Sequence, residues 1–178
     1  MDYYVAMQKR TTYRGTRSAR YPELVYIVIT RTPDGKYNPM SASWAMFTSI
    51  EPPMLAVSVG FTRYTYELIK SAGEFVLAIP SEKMAREVGY FGTESGRDVD
   101  KLNALKTLTQ PAAMIDSRLL SQASANYECK VNDSLVTGDH VIFSADILAS
   151  HIHDELLPRI LVLDRRIYGG VQAKPATN

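Results

Sequence analysis

The sequence is poor in the groups from which a protein builds its own chemistry. It has one cysteine, Cys129, and three histidines, His140, His151 and His153, in 178 residues. One cysteine excludes an internal disulfide, and with three histidines it falls short of a structural zinc set. His151-Ile152-His153 puts two imidazoles on one side of a strand, but no convincing third ligand follows, and a solvated strand end accounts for the pair. Cys129 lies in ANYECKV on the side of Tyr127 and Val131. With no neighbouring histidine or basic cluster to activate its thiol, it reads as a small buried residue and not as a nucleophile. No G-x-S-x-G, Walker or G-x-G-x-x-G sequence occurs. With so few reactive side chains of its own, the chain points to a borrowed cofactor.

Surplus charge is also missing. Twenty Lys and Arg face 19 Asp and Glu, a formal net charge of +1, so no global attraction to nucleic acid or to an anionic membrane is expected. Long apolar runs are absent too: stretches such as Ile160 to Leu163 are far shorter than the roughly 20 residues of a spanning helix. The opening MDYYVAMQKR lacks the apolar segment and cleavage site of a secretory signal, and the expected location is cytoplasmic. A hydrophobic fraction of 46% and a charged fraction of 22% are those of an ordinary globular chain, and the length suits one domain. Lys9, Arg10, Arg14, Arg17 and Arg20 do cluster against Asp2 in the first twenty residues. They are interleaved with Tyr and Thr, which implies a solvated arm or short helix lying on a partner subunit more than a nucleic-acid arm. The expected organisation is an arm over 1–20, one domain over 21–170 and a frayed tail over 171–178.

Within that domain β signals dominate. ELVYIVIT (23–30) is β-branched and aromatic, and Asp34-Gly35 in the following TPDGKYN is a hairpin turn signal. NPMSASWAMFTSI (38–50) alternates as a second strand, ended by Glu51-Pro52-Pro53. One of its faces is lean, with Ser41, Ser43, Ala45 and Ser49 interrupted by Phe47; the other carries Met40, Ala42, Trp44, Met46 and Ile50. MLAVSVG (54–60) is a third strand with a second lean face of Met54, Ala56, Ser58 and Gly60. A short helix follows with Thr65 as its N-cap and Gly73 as its stop, then strand EFVLAIP (74–80). A second helix in 81–92 presents Met84, Val88 and Phe91, and Ser95 with Asp98 forms a capping box for a third. ASANYECKVNDSLV and DHVIFSADILASHI are long strands joined by Thr137-Gly138-Asp139; Val141, Phe143, Ala145, Ile147 and Ala149 make the core face of the second. ILVLDRRIYGG supplies one further strand. Strands, helices, then strands, linked by hairpins, favour a mainly β (α+β) antiparallel barrel with helices at one side over a doubly wound sheet.

The densest chemistry lies in SVGFTRYT (58–65). Gly60 permits close backbone approach, Thr62 and Thr65 offer hydroxyls, Arg63 offers a planar fork of donors, and the next helix begins with free N–H groups. That set suits a phosphate, although a capped helix with an exposed arginine has the same residues. The lean faces of Ser41-Ala42-Ser43 and Ala56-Ser58 beside it leave room for a flat ring. By alternation Trp44 points away from the serines and is expected to support such a site more than stack in it.

NPMSASW, EPPMLAVSVGFTRYTYELIKSAGEFVLAIP, GTESGRDVDKL, ANYECKV and GDH, in that order, resemble the flavin reductase-like family, in particular its flavoredoxin-type members. The resemblance runs from about Val25 to Tyr168. It implies an FMN-binding antiparallel split β-barrel that forms a homodimer with the flavin near the interface. It implies FMN in preference to FAD, with NADH or NADPH as co-substrate and free flavin, another small molecule or a protein as electron acceptor. By position, Ser41, Ala42, Ser43 and Trp44 correspond to the strand that meets the ring, and Ser58, Thr62, Arg63 and Thr65 to ribityl and phosphate contacts. Ser95, Arg97 and Lys101 correspond to a loop that closes over the cofactor. His140 corresponds to the position of nicotinamide access, and it also reads as a strand-start histidine beside a turn. The basic, tyrosine-rich arm before Tyr21-Pro22-Glu23-Leu24 departs from the family pattern, and it is expected to reshape the mouth of the site and so bear on the choice of electron donor and acceptor. Two other readings share the barrel: an electron carrier without nicotinamide activity, and a flavin- or haem-binding storage or sensing module.

Overall fold

A computed structural model of the chain describes residues 8–164 and 166–170. The start of the basic arm and the tail expected from 171 onward lie outside these residues. Seven strands form the main sheet: β2 (Tyr26–Arg31), β3 (Tyr37–Ala42), β4 (Ala45–Ser49), β5 (Met54–Gly60), β6 (Glu74–Pro80), β9 (Ala123–Thr137) and β10 (His140–Ile152). Their order is β3-β2-β6-β9-β10-β5-β4, antiparallel at every pairing. Small sheets flank it, with β1 (Glu23–Leu24) paired to β11 (Ile160–Asp164) and β11 to β12 (Ile167–Gly170), and β7 (Thr109–Pro111) to β8 (Arg118–Leu120). Helices α1 (Tyr13–Thr16), α2 (Tyr64–Ala72), α3 (Ala85–Thr93) and α4 (Lys101–Leu105) complete the described chain. No described helix is long and apolar enough to cross a membrane.

The sheet curls because residues from its distant strands bury one another. Tyr26 and Val28 of β2, Phe75 and Leu77 of β6, Cys129 of β9, Val141 and Phe143 of β10, and Leu55, Val57 and Val59 of β5 form one inner cluster. The alternate residues Ile27, Ile29, Val76 and Ala78 face outward and are covered by Met84, Val88 and Phe91 of the α3 segment. Strands β2 and β6 are therefore buried on both sides, which is why they run as continuous hydrophobic sequence. Helix α2 adds Ile69 and Tyr66 to the inner cluster while α3 covers the outer one, so the helices do not gather at one side as expected. Edge strands β3 and β4 are consecutive in the chain, yet they stand at opposite ends of the sheet. Ser43 and Trp44 carry the chain across the gap, and Ser58 N–H donates to the Trp44 carbonyl at 2.8 Å. The result is an antiparallel barrel left open between its first and last strands.

Several expectations about single elements change. Residues 38–50 are two strands with a break at Ser43-Trp44, because the first pairs with β2 and the second with β5. ILVLDRRIYGG folds as the β11–β12 hairpin. A register shift between Ile147 and Ala149 ends the clean alternation of β10, so Ile147 and Ala149 are only half-buried. The N-cap of α2 is Arg63, not Thr65, and Gly73 ends the helix at φ 69°. Asp100, not Ser95, caps α4 by accepting from Asn103 N–H at 3.1 Å. Ser95 closes a turn instead, its hydroxyl accepting from Arg97 N–H at 3.2 Å. His151 is no free strand end: its Nε2 lies 2.7 Å from the buried Glu128 carboxylate, which also accepts from Ala113 and Met114 N–H.

Candidate functional site

At the barrel opening lies a cavity of about 610 Å³, in the size range of small-molecule sites. All twelve residues singled out from the sequence line it: Ser41, Ala42, Ser43, Trp44, Ser58, Thr62, Arg63, Thr65, Ser95, Arg97, Lys101 and His140. One wall is the end of β3 with the Ser43-Trp44 crossing. A second is the end of β5 running through Gly60 into α2, and a third is the end of α3, the 94–97 loop and Lys101.

The first wall has little bulk, as its composition predicts. It is not a simple serine face, however. The Ser41 hydroxyl donates to Val88 O at 2.8 Å, tying β3 to α3, so its proton is spoken for. Gly92 of α3 lies so close that an added Cβ would sit 3.5 Å from Ser41 Cβ. Trp44 does not turn away as alternation predicts. The break in the strand puts it on the cavity wall with the serines, packed at a tilt of 41° against His140 with ring centroids 4.7 Å apart. His140 lies directly over Gly60, where an added Cβ would come into ordinary contact with Nε2 at 3.4 Å. His140 Nδ1 is 2.6 Å from Asp139 Oδ1.

The second wall is an open helix N-terminus. No side chain caps α2, Arg63 sits at the N-cap, and Tyr66 N–H turns back to Arg63 O at 3.0 Å. Among the described residues the Arg63 guanidinium has neither a hydrogen bond nor an ion pair, and it is exposed at the cavity. Thr62, Arg63 and the start of α2 all border the cavity, a set of hydroxyl, guanidinium and amide donors that suits an anion. Thr65 is buried, and its hydroxyl accepts from Asn38 Nδ2 at 3.0 Å, so it anchors Asn38 instead of capping the helix.

On the third wall Lys101 is 3% exposed, with Nζ 3.5 Å from Phe91 O and 3.4 Å from Glu94 O. Burial lowers its pKa to about 8, with the Glu94 carboxylate opposing that shift and the Arg63 charge adding to it. Arg97 is tied to the Glu67 carboxylate and lies over the Tyr64 ring, 4.9 Å from its centroid. Among the described residues no group of three or more His, Cys, Asp and Glu side chains is arranged to hold a metal.

The sequence reading missed Asn38, and it placed Arg17 and Arg20 in the arm without naming them as site residues. Asn38 is 3% exposed and lines the cavity, and its Oδ1 is buried with no hydrogen-bond donor. It opens the NPMSASW segment, but its importance depends on Thr65, 27 residues away. Arg17 and Arg20 line the cavity from the arm, which the departure from the family pattern connects with the mouth of the site, although nothing local singles out these two arginines.

The chain is similar to several known proteins. An uncharacterized protein of Archaeoglobus fulgidus is 34% identical over 128 residues, 72% of this chain and 71% of its own. The flavoredoxin of Desulfovibrio vulgaris (Miyazaki F) superposes with a TM-score of 0.81 at 27% identity, over 96% of this chain and 97% of its own. An FMN-binding protein from Thermus thermophilus superposes with a TM-score of 0.82 at 23% identity, over 100% of both chains. The model of the flavin reductase like domain matches residues 18–172, and the chain belongs to that family.

Proposed function

We propose that the cavity holds FMN and that the chain is an oxidoreductase, which takes reducing equivalents from NADH or NADPH and passes them to free flavin or another acceptor. The observation that carries this reading is the meeting of the uncapped α2 N-terminus and unpaired Arg63 with the low wall of Ser41 to Trp44, in one cavity. Family membership and the names of the relatives support it. The residues present fit the group. The donors at the start of α2 match one phosphomonoester, the low β3 wall leaves space for a ring, and the buried Asn38 Oδ1 lacks the donor that a polar ring edge or ribityl hydroxyl would bring.

When bound, the flavin supplies the two-electron chemistry. The work of the chain is to bind and position. Thr62, Arg63 and the first amides of α2 would hold the phosphate, and Lys101 would add charge from the third wall. Because β3 is an edge strand, its outer backbone groups are free to hydrogen-bond a ring edge, and Ser43 and Ser58 add hydroxyls. Such fixed donors favour an electron-rich ring. His140, held by Asp139 and Trp44, borders the space where a nicotinamide would approach. The homodimer belongs to the same proposal: Met46, Phe47 and Ile50 of β4 and its turn are 61%, 49% and 93% exposed beside Trp44, an apolar surface suited to a second copy.

Likeness to a flavoredoxin favours a second reading, an FMN-binding electron carrier without nicotinamide activity. Anaerobic mixing of FMN-loaded protein with NADH or NADPH separates the two. Bleaching of the oxidised-flavin band within seconds is the expected result. A protein that stays yellow is the carrier, and failure to form a yellow protein removes the flavin from both readings.

A further inference from the structure

The cavity carries more positive charge than one phosphate needs. Arg17, Arg20, Arg63, Arg97 and Lys101 line it against Glu23 and Glu94, in a chain whose formal net charge is only +1. Arg63, Arg97 and Lys101 belong to the walls beside α2. Arg17 and Arg20 come from the arm, and the position of the arm is not explained by apolar packing. Residues 8–19 are exposed, and neither α1 nor the 3-10 turn Arg17–Arg20 buries a side chain.

Arg20 holds the arm in place. Its Nε lies 3.1 Å from Glu23 Oε1, its Nη1 donates to the Tyr13 hydroxyl at 3.4 Å, and its guanidinium sits 5.5 Å from the centroid of the Trp44 ring. Trp44 in turn packs against the tilted ring of His140. Three contacts therefore hold a guanidinium against the aromatic wall at some cost in side-chain entropy. Arg17 lines the same cavity, and among the described residues its guanidinium has no hydrogen bond or ion pair.

The geometry points to a second phosphate-reading subsite, built from Arg17 and Arg20 beside Trp44 and His140, for a phosphate group of the nicotinamide dinucleotide. This inference rests on the reductase reading, which makes that dinucleotide the second ligand. The phosphate of FMN is matched by α2 and Arg63, so the arm pair is left for another anion. Guanidinium groups suit phosphate oxygens through paired, planar hydrogen bonds. Trp44 and His140 beside them offer the flat surfaces on which a base or nicotinamide packs. Arg20 is the positioning residue, because most of its contacts fix the arm, and Arg17 is the reading residue. The dinucleotide has two sources of the same chemistry, the pyrophosphate common to NADH and NADPH and the 2′-phosphate of NADPH alone.

Trp44 is the only tryptophan, so its fluorescence reports occupancy of this wall without turnover. FMN-loaded protein is titrated with NAD+ and with NADP+, and FMN affinity is measured separately. In Arg17→Ala the Kd for NADP+ is expected to rise by about tenfold or more, the loss of a charge-assisted contact, with FMN affinity changed by less than about twofold. An equal rise for NAD+ identifies the pyrophosphate as the group read, and a rise for NADP+ alone identifies the 2′-phosphate. Dinucleotide affinities insensitive to Arg17→Ala, an equal loss of FMN affinity, or no dinucleotide binding by the wild-type protein each overturns the subsite. Its failure is distinguishable from failure of the reductase reading. Arg17-dependent binding without flavin bleaching removes the reductase and keeps the subsite, whereas bleaching with Arg17-independent affinity does the reverse.

Discussion

Gly96 is the sharpest test of how the site is held. A Cβ at this position would run into the carboxamide of Asn38, lying 2.7 Å from its Cγ and 3.3 Å from its Cβ. Asn38 has nowhere to retreat, being 3% exposed and bonded through Nδ2 to Thr65 Oγ1 at 3.0 Å. In Gly96→Ala either the carboxamide rotates and leaves buried polar atoms unpaired, or the 94–97 loop moves off the cavity. Loss of one buried hydrogen bond with its partner left unsatisfied costs about 1 to 3 kcal/mol. For a chain of this length each kcal/mol lowers Tm by roughly 2 to 4 °C, so a fall on the order of 4 to 8 °C is expected for the middle of that range. Circular dichroism melts measure it, and a double-mutant cycle assigns it. On an Asn38→Ala background the clash with the carboxamide is gone and only the 3.3 Å approach to Cβ remains, so Gly96→Ala is expected to cost clearly less than it does in the wild-type background. An undiminished cost on that background would refute the contact as the cause. The flavin titration must follow the same pattern, because both Asn38 and the loop line the cavity.

Arg63→Ala is expected to weaken FMN by about 10- to 100-fold and riboflavin by less than about twofold, since only FMN carries the phosphate; equal losses by fluorescence titration place Arg63 elsewhere. Lys101 titrates at about 8, below the ordinary 10.5 of a lysine, because burial disfavours its charge. Between those values the unfolded chain binds the extra proton, so this residue makes stability rise with pH, while FMN binding, which favours the charged form, weakens as pH passes 8. Titrations at pH 7 and 9 check this, and Lys101→Met is expected to abolish the difference. Burial pushes the Cys129 thiol up to about 12, with a backbone hydrogen bond from Leu77 opposing and the Glu128 charge assisting. Native protein at pH 8 is therefore expected to leave a disulfide reagent unreacted, and denatured protein to consume one equivalent.

Strands β5 and β6 begin and end where their sequence implies, because a strand's alternation and its proline or glycine boundaries are local. The inner and outer faces of Leu55, Val57, Val59 and of Met84, Val88, Phe91 were equally legible. Glu128 was not. In ANYECKV nothing marks it as buried, yet it is 0% exposed because amides of Ala113 and Met114 and the ring of His151 reach it from outside its own strand. Thr65 reads locally as a cap, and its real partner is Asn38. Each miss is a long-range hydrogen bond displacing a local one, and no window of sequence contains both partners.

The break at Ser43-Trp44 is the same failure with the largest consequence. Alternation runs through NPMSASWAMFTSI without a glycine or internal turn signal, so it predicts one strand with the serines and Trp44 on opposite faces. The chain instead leaves β2 and joins β5 at this point. A segment that crosses between the two edges of one sheet is not paired along either side, and here its main contact is the bond from Ser58 N–H to Trp44 O. Backbone polar groups left open at a barrel seam must face water or a ligand. The low bulk of Ser41, Ala42 and Ser43 keeps that seam accessible, and the twist of the crossing brings Trp44 onto the same wall, within reach of Arg20 and His140. The opening of the barrel and the candidate site are thus one feature, and the lean composition of this stretch is the part of it that sequence can show.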